Sequence, residues 1–304
     1  MTDLQKSEFH SGFFALLGRP NAGKSTLLNA LVGQKISIVS PKPQTTRDKI
    51  LGIRTEENSQ MIFVDTPGVL RPQNVLGEYM AKSIERGAED VNCVIVVVDS
   101  SKGVREADEK LIRKYGMRIP VVVVMNKTDL VPPDRMMEEL SKLNGMTEVA
   151  EVYSVSARKG KNVELLREGL KKYLTDDVPY FEEDDITDKS QRYLAAEIIR
   201  EKVLLLVNDE IPHGVGVQIN KMTYDPSKKM WEIDANIFVE KASHKPILIG
   251  KGGSKLKQIG SYARDSIERL LQARVFLTLW VKVKEDWRNS DFLLKEVGYD
   301  KKEL

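Results

Sequence analysis

Gly18-Arg-Pro-Asn-Ala-Gly23-Lys24-Ser25 is the stretch that decides the fold of the first half of this 304-residue chain. It matches the pattern G-x-x-x-x-G-K-[ST], in which a glycine-rich loop wraps around phosphate oxygens. An apolar run at 13–17 precedes it and a helical stretch at about 24–33 follows, which is the context that such a loop requires. We expect Gly18 and Gly23 to permit the turn, and the backbone N–H groups of residues 21–25 to hold anionic oxygens.

Two further blocks follow apolar runs and complete a nucleotide site. Asp65-Thr-Pro-Gly68 comes after the run 61–64, and Asn126-Lys-Thr-Asp129 comes after the run 121–124. The Asp129 carboxylate can accept hydrogen bonds from N1 and the exocyclic amino group of guanine, whereas adenine offers no such donor pair. The three blocks together therefore predict a site for GTP and GDP rather than for adenine nucleotides.

The phosphate end of this site predicts a bound magnesium ion. Lys24 is expected to reach the β- and γ-phosphates, while the Ser25 hydroxyl ligates Mg²⁺ and Asp65 helps through water. A second hydroxyl should complete the metal shell when the γ-phosphate is present, and the segment 44–48 offers two candidates. Thr46 is our choice, and Thr45 is the alternative.

The catalytic prediction rests on Lys24, Thr46, Gly68 and Asn21. The Gly68 N–H should sense the γ-phosphate, so that the loops at Thr46 and Gly68 order with GTP and relax after hydrolysis. Ras-like enzymes carry a Gln after this glycine to orient the attacking water, but Val69 stands here. Intrinsic hydrolysis should therefore be slow, and Asn21 is a candidate to hold a monovalent cation such as K⁺ beside the phosphates.

The base is expected to contact the ends of two strands. A backbone N–H at Ser156 or Ala157 should meet the guanine carbonyl oxygen, Asn126 should tie the loops together, and the Lys127 stem should cover the base. The full set of expected nucleotide contacts is Gly18, Asn21, Ala22, Gly23, Lys24, Ser25, Thr26, Asp65, Gly68, Asn126, Lys127, Asp129, Ser156 and Ala157.

Apolar runs and helical stretches alternate from about residue 13 to 174, which predicts an α/β fold with a doubly wound, mostly parallel sheet. Runs such as 94–98 and 121–124 are typical of parallel strands that are buried on both faces. We predict a first domain at 1–175, an acidic linker at 176–187 and a smaller α+β domain at 188–304. The order predicted for the second domain is α-β-β-α-α-β.

The second domain carries Gly250-Lys-Gly-Gly253, the G-x-x-G loop of a KH module. Such a loop joins two helices and clamps a nucleic-acid backbone, while an apolar groove receives about four unpaired bases. The segment 241–288 holds eleven Lys or Arg and four Asp or Glu, which favours a polyanion partner. We therefore predict that it binds single-stranded RNA and not DNA. The expected RNA contacts are Ile249, Gly250, Lys251, Gly252, Gly253, Lys255 and Lys257.

The single cysteine, the lengths of the apolar stretches and two tryptophans give further expectations about the location and the core of the protein. The single Cys93 lies in an apolar run, which favours a buried thiol and a reducing cytosol. No apolar stretch approaches the roughly 18 residues that a transmembrane helix needs, and the first ten residues lack a signal-like apolar region, so we expect a soluble protein. Trp231 and Trp280 lie in predicted strands with apolar neighbours and are expected in the core.

The chain resembles the Era family of bacterial GTPases over nearly its whole length. The resemblance is carried by the motifs at 18–25, 44–47, 65–68 and 126–129, and by the pairing of this GTPase set with the loop at 250–253. It implies binding to the single-stranded 3′ end of 16S ribosomal RNA, a role in maturation of the small (30S) ribosomal subunit, and a cytoplasmic location with loose peripheral association with the inner membrane. In the leading hypothesis bound GTP favours RNA capture, and RNA in turn favours the GTP state.

Two other functions stay open. One is a non-enzymatic RNA-binding assembly factor whose nucleotide only stabilises the fold, which Val69 favours. Phosphate release in the presence of ribosomal RNA discriminates it from a GTP hydrolase. The other is a GTPase that acts in tRNA modification, against which the loop at 250–253 and the lack of a reactive cysteine motif argue.

Overall fold

The computed structural model describes residues 9–42, 44–68, 74–207 and 214–300, and its contacts divide the chain into two compact units. The first unit holds the described chain up to Asp188, apart from two segments. The second unit holds the chain from Lys189 onward, together with Ile38–Thr45 and the described part of Arg71–Met80. The predicted domain boundaries at 175 and 187 stay predictions.

The first unit is built on a sheet of six strands in the order β2-β3-β1-β4-β5-β6. All neighbouring strands run parallel except the edge pair of β2 and β3. The carboxyl ends of β1, β3 and β5 therefore lie at one edge of the sheet, and each is followed by one of the three nucleotide motifs. The strands are β1 His10–Leu17, β2 Ile50–Glu56, β3 Ser59–Asp65, β4 Cys93–Asp99, β5 Val121–Asn126 and β6 Glu151–Ser154.

Helices cover both faces of this sheet, as the fully apolar runs in β4 and β5 require. Every residue of these two strands is buried, and alternate side chains join two separate apolar clusters. Cys93 belongs to one of these clusters, and burial raises the pKa of its thiol to about 12. The helices are α1 Lys24–Val32, α2 Val75–Gly87, which belongs to this unit from Ala81 onward, α3 Glu106–Gly116, α4 Pro133–Leu143 and α5 Val163–Leu170.

The acidic segment 176–187, which the sequence predicts to be a linker, lies along the sheet of the first unit. Asp176 forms an isolated bridge with Ser11, and Thr187 forms one with Gly52. The Gln60 side chain donates its amide hydrogen to the Phe181 carbonyl at 2.9 Å. Backbone pairing therefore fixes this segment on the first unit, although its sequence has no strand-like periodicity.

The second unit has the order α6, β7, β8, α7, α8, β9, α9. Its helix α6 begins at Gln191 because the Ser190 hydroxyl accepts a hydrogen bond from the Tyr193 N–H at 3.2 Å, a typical N-cap contact. The sheet order is β7-β8-β9, with β8 and β9 parallel. The bounds are α6 Gln191–Leu206, β7 Gly216–Asp225, β8 Met230–Val239, α7 His244–Ile249, α8 Ser254–Leu271, β9 Arg274–Val283 and α9 Asp291–Glu296.

One face of this small sheet forms the core of the unit, and it corrects one expectation about the tryptophans. Ile233 and Val275 point to the core with the buried residues of α6 and α8, and Trp231 packs against that core. The sequence predicts a core position for Trp280 too, but its side chain is 56% exposed. The prediction for Trp280 is wrong because strand neighbours alternate between faces, so that its apolar neighbours lie on the opposite side of the sheet.

Candidate functional site

The loop between β1 and α1 has the backbone shape that its glycines predict. Gly23, which precedes the helix, has φ 97°, and Asn21 adopts a left-handed φ of 63°. A Cβ atom on Gly23 would collide with the Asn126 side-chain amide, so a larger residue would separate these two motifs. The close approach brings the first and third sequence blocks into direct contact.

Lys24 lies inside this loop with its ammonium buried. Its Nζ donates to the carbonyl oxygens of Gly18 at 3.2 Å and Arg19 at 3.4 Å. Burial lowers the pKa of Lys24, and the Asp65 carboxylate opposes part of that shift. An anion that enters the loop would stabilise the desolvated Lys24 ammonium, so the loop favours binding of phosphate oxygens.

Arg19 holds the same loop from its outer side, a role that the sequence analysis missed. Its guanidinium forms a bidentate salt bridge with the fully buried Asp108 carboxylate, in which Nε and Nη2 each lie 2.9 Å from one carboxylate oxygen. Nη2 also donates to the Gly103 carbonyl at 2.9 Å. Bidentate arginine pairs of this kind fix orientation as well as charge. The partner residue is 89 positions away in the sequence, so no local pattern predicts the pair.

Hydroxyl groups converge on Asp65 from three segments. Ser25 Oγ lies 2.8 Å from Thr46 Oγ1 and donates to Asp65 Oδ2 at 2.7 Å. Ser37, which the sequence analysis did not consider, donates to the same oxygen at 3.0 Å. Thr45 points elsewhere, because its hydroxyl donates to the Lys42 carbonyl at 2.6 Å. Of the two candidate threonines, only Thr46 thus lies beside Ser25 and Asp65.

This cluster fits a magnesium ion. Asp65 is fully buried, and its Oδ1 has no hydrogen-bond partner among the described residues, so a lone pair is available to a metal-bound water. Burial raises the pKa of Asp65, and Lys24 with the surrounding hydroxyls opposes the rise. One carboxylate and two hydroxyls are a sparse protein donor set, which suits Mg²⁺ because it keeps several waters and takes phosphate oxygens as ligands.

The predicted base-binding residues also lie together. Asp129 is exposed, and its Oδ1 accepts a hydrogen bond from Ser156 Oγ at 2.6 Å, which lowers the pKa of Asp129. Asn126 connects two loops, since its Nδ2 donates to the Ala22 carbonyl at 3.0 Å and its Oδ1 accepts from the Ala157 N–H at 3.1 Å. The Ala157 N–H is thus engaged by Asn126 here, and its contact with the guanine carbonyl stays a prediction.

Lys127 makes two contacts that the sequence analysis did not predict. Its Nζ donates to Asp99 Oδ2 at 2.6 Å and to the Asn21 carbonyl at 2.7 Å. Burial opposes ionisation of Asp99, but Lys127 and Ser101 outweigh it and hold the pKa of this carboxyl below its usual value. The ammonium therefore joins the base-binding motif to the phosphate loop. Val69, on which the prediction of slow hydrolysis rests, lies outside the described residues.

The G-x-x-G loop joins α7 and α8 in the second unit, as predicted. Gly252 and Gly253 have φ values of 59° and 80°, and a Cβ on either would meet no atom of the described chain within 4 Å. The loop is therefore open to an incoming backbone. Lys251 and Lys257 are exposed around it, Lys255 is half-buried, and the Ile249 side chain packs against the core.

A groove of about 660 Å³ adjoins this loop. One wall is the face of α8 that carries Leu256 and Lys257, and the other is the edge strand β9 from Val275 to Leu279. Of the predicted RNA contacts, Gly253 and Lys257 line this groove, and the wall that β9 forms was not predicted from the sequence. An edge strand offers unpaired backbone donors and acceptors, which suits recognition of base edges.

The fold and the site together define a GTPase of the phosphate-loop class that carries a KH domain. The model of the 50S ribosome-binding GTPase family matches residues 13–127, and the KH domain model matches residues 210–288. The chain belongs to the Era family of GTPases: GTPase Era of Clostridium botulinum strain Kyoto is 48% identical over 96% of this chain and 99% of its own length.

Solved structures agree with this assignment. A single-residue variant of Aquifex aeolicus Era bound to GDP·AlF4⁻ matches with a TM-score of 0.92 and 38% identity over 96% of this chain and all of that one. Era in complex with MgGDPNP and nucleotides 1506–1542 of 16S ribosomal RNA matches with a TM-score of 0.92 and 39% identity, over 96% of this chain and 99% of that one. The predicted fold class and family are confirmed, and the chain is a GTPase.

Proposed function

We propose that this GTPase uses magnesium and GTP to control its binding to the single-stranded 3′ region of 16S ribosomal RNA, and that it thereby assists maturation of the small ribosomal subunit. The observation that carries the proposal is the open G-x-x-G loop beside the groove of α8 and β9, in a GTPase whose predicted base-binding residues lie together. The crystallised relative that holds MgGDPNP and nucleotides 1506–1542 of 16S ribosomal RNA supports it.

At the nucleotide site, each residue has a distinct task in this proposal. Lys24 balances the charge on the β- and γ-phosphates, and Asp129 selects guanine. Ser25 and Thr46 hold Mg²⁺ by their hydroxyls, with Asp65 acting through water, and the ion neutralises charge on the phosphates. Ser37 positions the Asp65 carboxylate by the 3.0 Å hydrogen bond to Oδ2.

At the RNA site, the loop at 250–253 clamps the sugar-phosphate backbone. Lys251 and Lys257 supply exposed positive charge, and the apolar groove walls accept the unpaired bases. The groove is too small for a duplex and suits a strand of about four nucleotides. Single-stranded RNA is the partner in this proposal, and duplex DNA does not fit the groove.

Replacing Gly252 and Gly253 by Asp should lower RNA affinity on the order of a hundredfold, because two carboxylates would face the phosphates at the point of closest approach. The measurement is a titration of the labelled RNA fragment 1506–1542 at fixed salt with the full chain and a non-hydrolysable GTP analogue. GTP affinity should stay unchanged, since the loop lies in the other unit.

The matched control replaces the same two glycines by Asn, which has the shape of Asp without its charge. Asn tolerates the left-handed conformation of these positions, so this variant should retain most of the affinity. If the Asp variant binds the fragment as tightly as the original chain, the loop is not the clamp. If the original chain shows no affinity for the fragment, the proposed RNA function is wrong.

We further propose that Asn21 holds a potassium ion beside the phosphates. The residue lies in the phosphate loop in a left-handed conformation, and its side-chain amide supplies an oxygen donor of the kind that hard cations prefer. GTP hydrolysis should be about tenfold faster in potassium than in sodium chloride, because a fixed cation stabilises charge that develops during phosphoryl transfer. Phosphate release at equal ionic strength measures this, and Asn21→Ala should remove the difference. Equal rates in the two salts would exclude the role.

Peripheral association with the inner membrane is also proposed, on the family resemblance alone. Among the described residues, no helix combines the length and apolarity that crossing a bilayer demands.

A further inference from the structure

Strand β9 presents a stripe of polar and aromatic side chains that extends beyond the proposed RNA groove. Its alternate residues Arg274, Phe276, Thr278, Trp280 and Lys282 form what we call the β9 stripe. Phe276 is 59% exposed and Trp280 is 56% exposed. Two large aromatic side chains that stay in water on one strand are unusual, since each could bury well over half of its surface in a core.

The pairing register places the stripe on the face of the sheet opposite to α6 and α8, and this face is exposed at Phe276 and Trp280. Phe276 pairs with Glu232 and Trp280 pairs with Asn236, whereas the intervening Val275 and Val281 belong to the core on the helical side. Because strand side chains alternate, the stripe points away from α6 and α8. The α8 face of the groove and the stripe thus lie on opposite sides of one edge strand.

We propose that the β9 stripe is a second RNA-binding surface, on which Phe276 and Trp280 each stack one unpaired base of the strand that the groove clamps. The proposal rests on the RNA function proposed above. Aromatic platforms on open sheet faces stack bases whatever their identity, because every base has a π-face. A strand longer than the groove would therefore gain affinity without added sequence selectivity.

The charges on this face favour nucleic acid over a protein partner. Arg274 and Lys282 are exposed at the two ends of the stripe, and neither forms an ion pair within the described ranges. Of the carboxylates on the same face, Glu232 is neutralised by lysines, whereas Asp234 is hydrogen-bonded to uncharged donors and keeps its charge. Glu232 is paired with Lys221 and Lys228, and Asp234 accepts hydrogen bonds from Asn220 and from Trp280. The cations of the stripe are thus available to phosphates.

The geometry of the stripe suits two separate bases. Residues four apart on a strand lie about 13 Å from each other, which is too far for both rings to hold the same base. The Trp280 ring is oriented by a hydrogen bond of 2.8 Å from its Nε1 to Asp234 Oδ2, so little rotamer freedom is lost on stacking. Phe276 and Thr278 also line the groove, so a bound strand can continue from the groove onto the stripe.

The test compares two RNA probes on the full chain. Phe276→Ala and Trp280→Ala should each weaken binding of the fragment 1506–1542 about tenfold, whereas Trp280→Ala should leave affinity for a strand of about four nucleotides unchanged. Trp280→Phe keeps a stacking ring and should restore most of the affinity. Since Trp287 is fully buried and Trp231 is partly buried, RNA should quench mainly the emission of Trp280, and Trp280→Phe should remove that quenching.

Phe292→Ala is the matched control, because Phe292 is 71% exposed on α9 of the same unit and lies outside the stripe. It should not change affinity for either probe. If Phe276→Ala and Trp280→Ala both bind the fragment as tightly as the original chain, the β9 stripe is not an RNA-binding surface. The variant with Asp at 252 and 253 tests the proposed RNA function independently of this result. A dimer of the original chain that Trp280→Ala dissociates, with RNA affinity unchanged, would instead assign the stripe to a second copy. Failure of the original chain to bind the fragment would overturn both proposals.

Discussion

Replacing Asp129 by Asn should weaken GTP binding about a thousandfold and create affinity for xanthosine triphosphate. The carboxylate accepts from both N1–H and the exocyclic amino group of guanine. In the variant, one of these acceptors becomes an NH2 donor that faces the amino group. Xanthine carries a carbonyl oxygen in place of that amino group, so the same NH2 would meet an acceptor.

The structure makes this substitution a test of binding rather than of folding. Asp129 is exposed, so the free energy of unfolding should change little. Its Oδ1 accepts from Ser156 at 2.6 Å, and the Asn carbonyl oxygen can accept the same bond. The Ser156 hydroxyl also lowers the pKa of Asp129, so the acceptor stays ionised as the pH falls from neutrality to the usual range of Asp.

The measurement is a titration with fluorescent guanosine and xanthosine triphosphates. Asp134→Asn is the control, because Asp134 is an exposed carboxylate in the nearby helix α4 and the substitution removes the same charge. It should leave both affinities unchanged. An Asp129→Asn variant that binds GTP as tightly as the original chain would show that another group selects the base.

The sequence predicted those parts of the fold in which local pattern and burial coincide. Strands β4 and β5 appear as continuous apolar runs because both of their faces are covered, and the glycine-rich loops appear because their backbone shapes need particular residues. Edge strand β2 has no such run. Its residues Arg54 and Thr55 are only partly buried, and its partner β3 lies beyond a turn.

Contacts between distant segments could not be predicted in the same way. Arg19 meets Asp108, and Ser37 meets Asp65, only because the fold brings together segments that are distant in the sequence. Trp280 shows the converse error, since apolar neighbours along a strand do not share its face. The motif residues could therefore be predicted from residue type and spacing. The residues that position them could be identified only from the tertiary structure.

Thr46→Ala should slow GTP hydrolysis roughly 10²- to 10³-fold, whereas Thr45→Ala should have little effect. The physical reason is the difference in direction of two adjacent hydroxyls. Thr46 Oγ1 lies 2.8 Å from Ser25 Oγ beside Asp65, but Thr45 Oγ1 donates to the Lys42 carbonyl. We therefore expect the Thr46 hydroxyl, rather than that of Thr45, to reach a metal held by Ser25.

Phosphate release at saturating GTP, measured across a range of Mg²⁺ concentrations, separates loss of the metal ligand from loss of stability. Thr46→Ser keeps the hydroxyl and should restore most of the rate. GDP affinity of Thr46→Ala should be nearly unchanged, because the second hydroxyl is needed only when the γ-phosphate is present. A slow Thr45→Ala variant beside a normal Thr46→Ala variant would assign the ligand to Thr45. Equal and normal rates in both would mean that the Ser25 and Asp65 cluster binds Mg²⁺ without a hydroxyl from this segment.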